Sequence, residues 1–414
     1  MKKVLISLLV LAVAGGGAFA QGWTFNGMMT GGFGLFFFDD DDDVRAATIN
    51  DDPGAAFRSQ LDAAFVNQEG TAGLNFRIRA DGHTPGRGGL DWDDDLDWDD
   101  DEWDIEFGFG HNVYFDYAFG WLSFADNMVT VYGGHVFNTT FNTFDRMFGW
   151  HQGTGLGLLT VLRPMDGLAI GLGAFSSGPG HMTLDANDYQ DQARFTLSVR
   201  YDDPNGDFSV MASFRNTNEA IGGAPPSPAP NTLPGRDHPS QALLSFAWHA
   251  LEDIHLAATA RFMALEEFGD HGDMRFYVTF GHTGLVENMD LRVGASFGMH
   301  MGDDMDPHVW IWGSVAYELS DMVVPRLDLH YVMGGTWNGW QRTHHWAVRD
   351  GVTFNEDDSF LQIRPAVQFR VVPSAFLEIG CIFNIDLGDN LTWGAGSHDS
   401  GMNIGVYALM RVSF

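Results

Sequence analysis

The sequence predicts an all-β protein, a transmembrane antiparallel β-barrel of about 18 strands, with 16 as the alternative count. Three observations predict it. Apolar and polar residues alternate with period two almost from end to end, as in strands with one wet and one apolar face. Short and long connections take turns along the chain. The 51 Gly and 14% aromatic residues are high for a soluble enzyme of 414 residues, and both suit strands that curve in lipid. At 45% hydrophobic the chain is too apolar for disorder, and its length fits two or three soluble domains or one large barrel.

The first element reads as a secretory signal over residues 1–20. Lys2 and Lys3 precede an apolar run from Val4 to Ala14, and Ala18-Phe19-Ala20 supplies the small-x-small cleavage site. The mature domain is therefore expected to run from 21 to 414, after cleavage near Ala20. No cysteine follows that site, which argues against a lipid-anchored N-terminus. Cleavage removes both lysines of the chain, leaving 20 arginines and moving the net charge from −33 to −35. Beyond the signal no stretch approaches the ~18 uninterrupted apolar residues of a spanning helix, so a membrane can be crossed only by strands.

The strands follow in order. The first covers Trp23 to Phe37. From Phe57 to Phe65 the odd positions Phe57, Leu61, Ala63 and Phe65 oppose Arg58, Gln60 and Asp62. Leu74, Phe76, Ile78 and Ala80 alternate with Asn75, Arg77, Arg79 and Asp81. The same pattern sets Phe195, Leu197, Val199 and Tyr201 against Arg194, Thr196, Ser198 and Arg200, and Leu291, Val293, Ala295 and Phe297 against Asp290, Arg292, Gly294 and Ser296. Each run approaches the ~10 residues that a tilted strand needs to cross hydrocarbon.

Short connections are expected around Gln68-Glu69-Gly70, Asp126-Asn127, Pro164 to Gly167, Asp203 to Gly206, Glu252-Asp253, Glu287-Asn288, Ser320-Asp321 and Pro373-Ser374. Long ones are expected at 38–54, 83–102, 138–152, 179–190, 218–239, 266–272, 302–307, 335–357 and 388–400. These 17 connections give 18 strands, and an even count puts both termini on one side. A soluble sandwich or propeller would show the same alternation. The chain end weighs against it: Ile404, Val406, Ala408, Met410 and Val412 alternate with polar or small residues, and the last residue is Phe414.

A terminal Phe closing an amphipathic strand resembles the signal by which bacterial outer-membrane barrels are recognised for assembly. The resemblance implies that Phe414 is an assembly signal, that the outer-membrane assembly machinery and lipid are partners, and that the mature chain resides in a bacterial outer membrane. A second resemblance lies inside the chain. Gly120-Trp121-Leu122-Ser123-Phe124, the turn at Asp126-Asn127, then Val129-Thr130-Val131-Tyr132-Gly133-Gly134-His135 looks like the hairpin of general diffusion porins that precedes their inward-folded constriction loop. As strands four and five, followed by the third long connection, it occupies the same place as in that family. It departs at His135, where those porins usually carry Arg. The resemblance implies a third loop folded inward with Asp145 and Arg146 at the constriction, and a homotrimer as the candidate assembly.

Strand parity places 13 of the 20 mature arginines on the polar face. In a barrel of this size that face lines a water-filled lumen, so Arg58, Asp62, Arg77, Arg79, Arg194, Arg200, Arg292, Arg364 and Arg370 are the candidate pore-lining residues. Guanidinium forks there can hold an entering anion, or pair with wall acids such as Asp62, Asp81, Asp290, Asp328, Glu378 and Asp386. The acidic runs Asp39 to Asp43 and Asp91 to Asp104 fall in long connections. Asp93, Asp94, Asp95, Asp99, Asp100 and Asp101 are a candidate site for weakly bound Ca2+, a hard cation that prefers several oxygens, or else a solvated, self-repelling loop. Cys381 falls on the apolar face beside Ile379 and Phe383, where inert packing is expected.

Other chemistry finds little support. An acidic chain does not suit nucleic acid phosphates, and one cysteine excludes an internal disulfide framework and a Cys-based zinc site. Nucleophile elbow, HExxH and P-loop patterns are absent; Gly171 and Gly173 begin a GxG, but Ser176 stands where a third glycine belongs. His344-His345 reads as loop surface. No catalytic residue and no cofactor beyond weak Ca2+ is expected. The function that follows is passive diffusion of small hydrophilic solutes and ions. An outer-membrane surface protein binding external ligands or cations through acidic loops, and a barrel enzyme acting on lipid, are the alternatives.

Overall fold

The computed structural model describes residues 22–38, 44–49, 57–82, 111–144, 151–176, 193–216, 240–263, 265, 273–301, 307–333, 359–387 and 402–414. The expected signal over 1–20 lies outside them. The described residues are strands joined by turns. In chain order these are β1 (Trp23–Phe38), β2 (Val44–Ile49), β3 (Phe57–Val66), β4 (Ala72–Gly82), β5 (His111–Phe124), β6 (Val129–Asn142), β7 (His151–Met165), β8 (Leu168–Ser176), β9 (Ala193–Asp202) and β10 (Phe208–Asn216). They continue with β11 (Ser240–Trp248), β12 (Ile254–Met263), β13 (Asp273–Thr283), β14 (Met289–His300), β15 (His308–Tyr317), β16 (Val323–Met333), β17 (Ser359–Val372), β18 (Ala375–Asp386) and β19 (Met402–Ser413).

Every neighbouring pair is antiparallel, and β1 pairs with β19 from Met28↔Ser413 to Phe38↔Asn403, which closes the sheet. β2 and β3 share one place in the ring. β1 pairs with β3 from Trp23 to Gly31 and with β2 from Gly32 to Phe37, so 19 strands fill 18 positions. The expected long connection 38–54 is corrected accordingly: its residues 44–49 are strand. β1 is 16 residues long, and the N–H and C=O groups of its far half require a partner that β3 does not reach. The eight short turns fall where the sequence placed them. Ala125, Asp126 and Asn127 all take positive φ (51°, 55° and 68°), a conformation that Asn and Asp tolerate better than most residues.

Alternation assigns the faces. Phe195, Leu197, Leu244, Phe246, Ile311 and Met410 are exposed on the outside, while Thr196, Ser198, Ser213, Gln241, Ser245 and Thr259 are buried on the inside. Leaving one large apolar side chain in water forfeits about 1.5–3 kcal/mol. A continuous outer belt of them is stable only where the surroundings are themselves apolar, as in lipid. Cys381, on the outward face of β18, is a free thiol of intermediate exposure. Closure is completed at the short-turn end. The Phe414 N–H donates to Gly27 O at 2.9 Å, and the Gly27 N–H donates back to Phe414 O at 2.8 Å. The Phe414 ring fills the space a Cβ at Gly27 would occupy, so only glycine permits this seat.

Candidate functional site

The end of β6 folds inward and lies against the inner wall of β7–β11. Its ladder with β7 slips between Asn138 and Asn142, and the chain turns away from the wall. The Phe144 N–H donates to Ser245 Oγ of β11 at 3.1 Å, and Arg200 Nη1 of β9 donates to the Thr140 carbonyl at 2.9 Å. The Arg200 guanidinium also lies 4.9 Å from the centre of the Phe144 ring. Phe141 is fully buried among the inward side chains Val136, Leu159, Val161, Ala169, Phe175, Met211 and Leu243. Its ring lies where a Cβ at Gly171 would stand, so the glycine makes room for it. Sequence reading placed 138–152 in a long connection; 138–142 and 151–152 are strand, and 143–144 continue along the inner wall to β11. Asp145 and Arg146 lie outside the described residues.

Ion pairs line the inner wall of β3–β5. Arg77 Nε donates to Asp62 Oδ1 at 2.6 Å, and Arg77 Nη1 and Arg79 Nη2 reach Asp116 Oδ2 at 3.3 and 3.1 Å. Tyr117 Oη donates to Asp62 Oδ1 at 2.9 Å. Asp116 was not among the expected partners. The β4–β5 ladder shifts between Arg77 and Ile78, so an extra β5 residue brings Asp116 and Tyr117 together toward the arginines and breaks the alternation on which parity rests.

On the wall of β16–β19 the acid and base groups are more enclosed. Arg364 pairs with Glu378 and donates from Nε to Tyr407 Oη at 2.6 Å; Gln368 Nε2 and Tyr407 Oη donate to Glu378 at 2.7 and 2.8 Å. Arg326 reaches both Asp328 and Glu378 at 3.5 Å. Nearer the short turns, Arg200, Arg292 and Arg370 pair with Asp202, Asp290 and Glu318 at 2.8, 2.5 and 2.5 Å. Arg58 points inward and is 5% exposed, as is Arg364. A basic row absent from the expected pore-lining set crosses β10–β13. Arg215 stands opposite Gln241, and Arg261 directly opposite Arg275. Strand parity puts these three among the 13 arginines of the polar face, and the cross-strand register adds that they stand side by side.

A cavity of about 640 Å³ lies on the inner wall of β4–β7. Tyr117, Phe119, Trp121, Tyr132 and Phe137 give it an aromatic side, and Asn75, Ser123, Thr130 and Thr139 a polar one, with Arg77 and Arg163 among its lining. Sequence reading missed it because β5 aromatics fall on both faces; the i, i+2, i+4 series Tyr117, Phe119, Trp121 was the available signal. The side chain of Arg194, the Asp93 to Asp101 carboxylates and His344-His345 lie outside the described side chains. Among the described residues no cluster of three or more His, Cys, Asp or Glu suits a metal ion.

No protein-family model matches the chain, and no curated protein matches it. Solved structures do. The chain is similar to the outer membrane protein opdK from Pseudomonas aeruginosa, at 10% identity over 94% of this chain and 99% of that one, with a TM-score of 0.53. It is also similar to OpdL of the same organism, at 9% identity over 95% and 98% of the two chains, with a TM-score of 0.50. The fold is thus that of outer-membrane porin barrels.

Proposed function

We propose that this chain is a porin-like channel of a bacterial outer membrane, passing small hydrophilic solutes and ions by passive diffusion without catalysis. One observation carries the reading: the polarity of the barrel is reversed relative to a soluble protein. Large apolar side chains are exposed outside, and Arg, Gln, Ser and Thr line the inside. Lipid satisfies the first face, and a hydrated passage satisfies the second. The segment Thr140 to Phe144, held at the β8–β11 wall, narrows that passage, and the arginine and carboxylate pairs along the inner wall set the field a solute meets. Outer-membrane residence, assembly guided by Phe414 and a homotrimeric state belong to the same proposal. Purified protein in planar bilayers is expected to give discrete conductance steps in KCl. A folded barrel without them would favour the surface-binding alternative, which rests on acidic loops outside the described residues.

A further inference from the structure

We propose that the outer face of β11–β13 carries a seat for one acyl chain of a phospholipid from the periplasmic leaflet. The inference rests on the outer-membrane residence proposed above and not on conduction. On one rung of the ladder Leu244, Ala260 and Phe276 stand side by side, and on the next Phe246, Ala258 and Val278. The two alanines therefore form a trough on β12, walled by the larger outward side chains of β11 and β13. Those walls are about 10 Å apart, twice the strand spacing. They stand proud of the sheet, with Leu244 55% and Val278 46% exposed. Leu256 and Phe262, the next outward residues of β12 on either side, close the ends. The cavity measures about 500 Å³ and extends over β10 to the end of β9; of its outward lining only Tyr201 carries a polar group.

Two features decide the occupant. The trough is continuous with the apolar outer belt, so what reaches it is hydrocarbon. On a flat stretch of that belt a tail packs on one side only, whereas here it meets a floor and two walls and gains dispersion contacts from each. A second copy of the chain would need a ridge matched to the trough and roughly 1,200 Å² or more of shared surface, while a flexible tail adapts to the dip as it stands. Tyr201 sets the leaflet. It borders the cavity at the short-turn end of β9, its ring 6.0 Å from Phe208. A side chain with an apolar body and a polar tip belongs at the level of the head groups. Short turns face the periplasm in barrels of this kind, and the leaflet on that side is built of phospholipid. The floor is one strand thick. Ser245 and Thr259 also border the cavity, with hydroxyls 2.8 Å apart on the lumenal side, and Ser245 Oγ receives the Phe144 N–H. A seated tail thus packs directly behind the wall that holds the inward segment.

Native mass spectrometry of the detergent-folded chain, titrated with palmitoyl-oleoyl phosphatidylethanolamine or with lipid A, tests the seat. One phosphatidylethanolamine should be retained at concentrations where lipid A is not. Ala258→Phe combined with Ala260→Phe, which fills the trough from its floor, should raise the half-saturating concentration about tenfold or more. Ala174→Phe adds the same ring to the exposed outward face of β8 and should leave that concentration unchanged. No retained lipid, preference for lipid A, unchanged retention in the double variant, or an equal loss in the Ala174 variant overturns the seat. So does a lipid-free dimer that the double variant abolishes, which would assign the trough to a second copy. If the double variant lacks the heat-modifiable mobility of a folded barrel, the parent protein irradiated with a phosphatidylethanolamine bearing a diazirine in its tail decides. Adducts concentrated on the outward residues of β11–β13 support the seat, and adducts spread evenly around the belt overturn it. Absence of KCl conductance would sink the channel reading and leave these results standing.

Discussion

Removing the Glu378 carboxylate would leave the Arg364 guanidinium charged, enclosed and short of acceptors. Glu378 retains 1% side-chain exposure and Arg364 6%, and breaking a pair that buried costs about 3–5 kcal/mol. Glu378→Ala should therefore lower the urea midpoint of detergent-folded protein strongly. Asp290→Ala, which breaks a pair whose arginine is 45% exposed, should cost at most about 1 kcal/mol. Arg77→Gln acts on selectivity instead. It removes the guanidinium paired with Asp62, whose bonds from Tyr117 and Gln60 remain, and leaves Asp116 with Arg79, so the reversal potential in a KCl gradient should move toward cation preference. An unchanged potential would place this cluster off the conducting path. Period-two parity assigned the arginines to the interior because a strand has only two faces. It missed Asp116, since a bulge is a local count of residues that no hydrophobic pattern announces.

At the scale of elements, the end of β6 is held against the inner wall of β8–β11 by one apolar and two polar attachments. Gly171→Val would collide with the Phe141 ring, a misfit costing roughly 1–3 kcal/mol. Arg200→Ala would delete the donor to Thr140 O, a charge-assisted bond worth about 1.5–3 kcal/mol. Either change should loosen the segment and raise single-channel conductance, and the pair together should raise it further. Conductance equal to that of the parent channel would show that the segment does not limit flow. The contacts that hold 140–144 were not legible, since the residues that receive the segment lie on strands 30 to 100 positions later, where no local pattern points to them. The strands themselves were legible, apart from β2, six residues between acidic and turn-forming neighbours that read as loop.

For the molecule as a whole, reversed polarity was legible because it depends on alternation summed over the ring, and no single misplaced boundary alters it. Charge at the rim follows a different length scale. Fixed carboxylates there act over a Debye length, ~8 Å at physiological salt, whereas confined lumenal charges are screened less. Replacing Asp93, Asp94, Asp95, Asp99, Asp100 and Asp101 with Asn should reduce cation preference at low salt and change it little at high salt, measured as reversal potentials. Equal effects at both would place these residues inside the pore. The divided second position of the ring has a use in engineering. Ile49 and Phe57 pair with adjacent residues of β1, Gly32 and Gly31, so the chain departs and returns within one rung of the ladder. Lengthening 50–56 leaves every register unchanged and adds loop-closure entropy of only about 0.6 kcal/mol per doubling. A peptide spliced there would emerge midway along β1, at mid-barrel depth, where lipid cannot satisfy an irregular backbone; the lumen alone could house it, which makes this rung a place to build a plug and not a display tag.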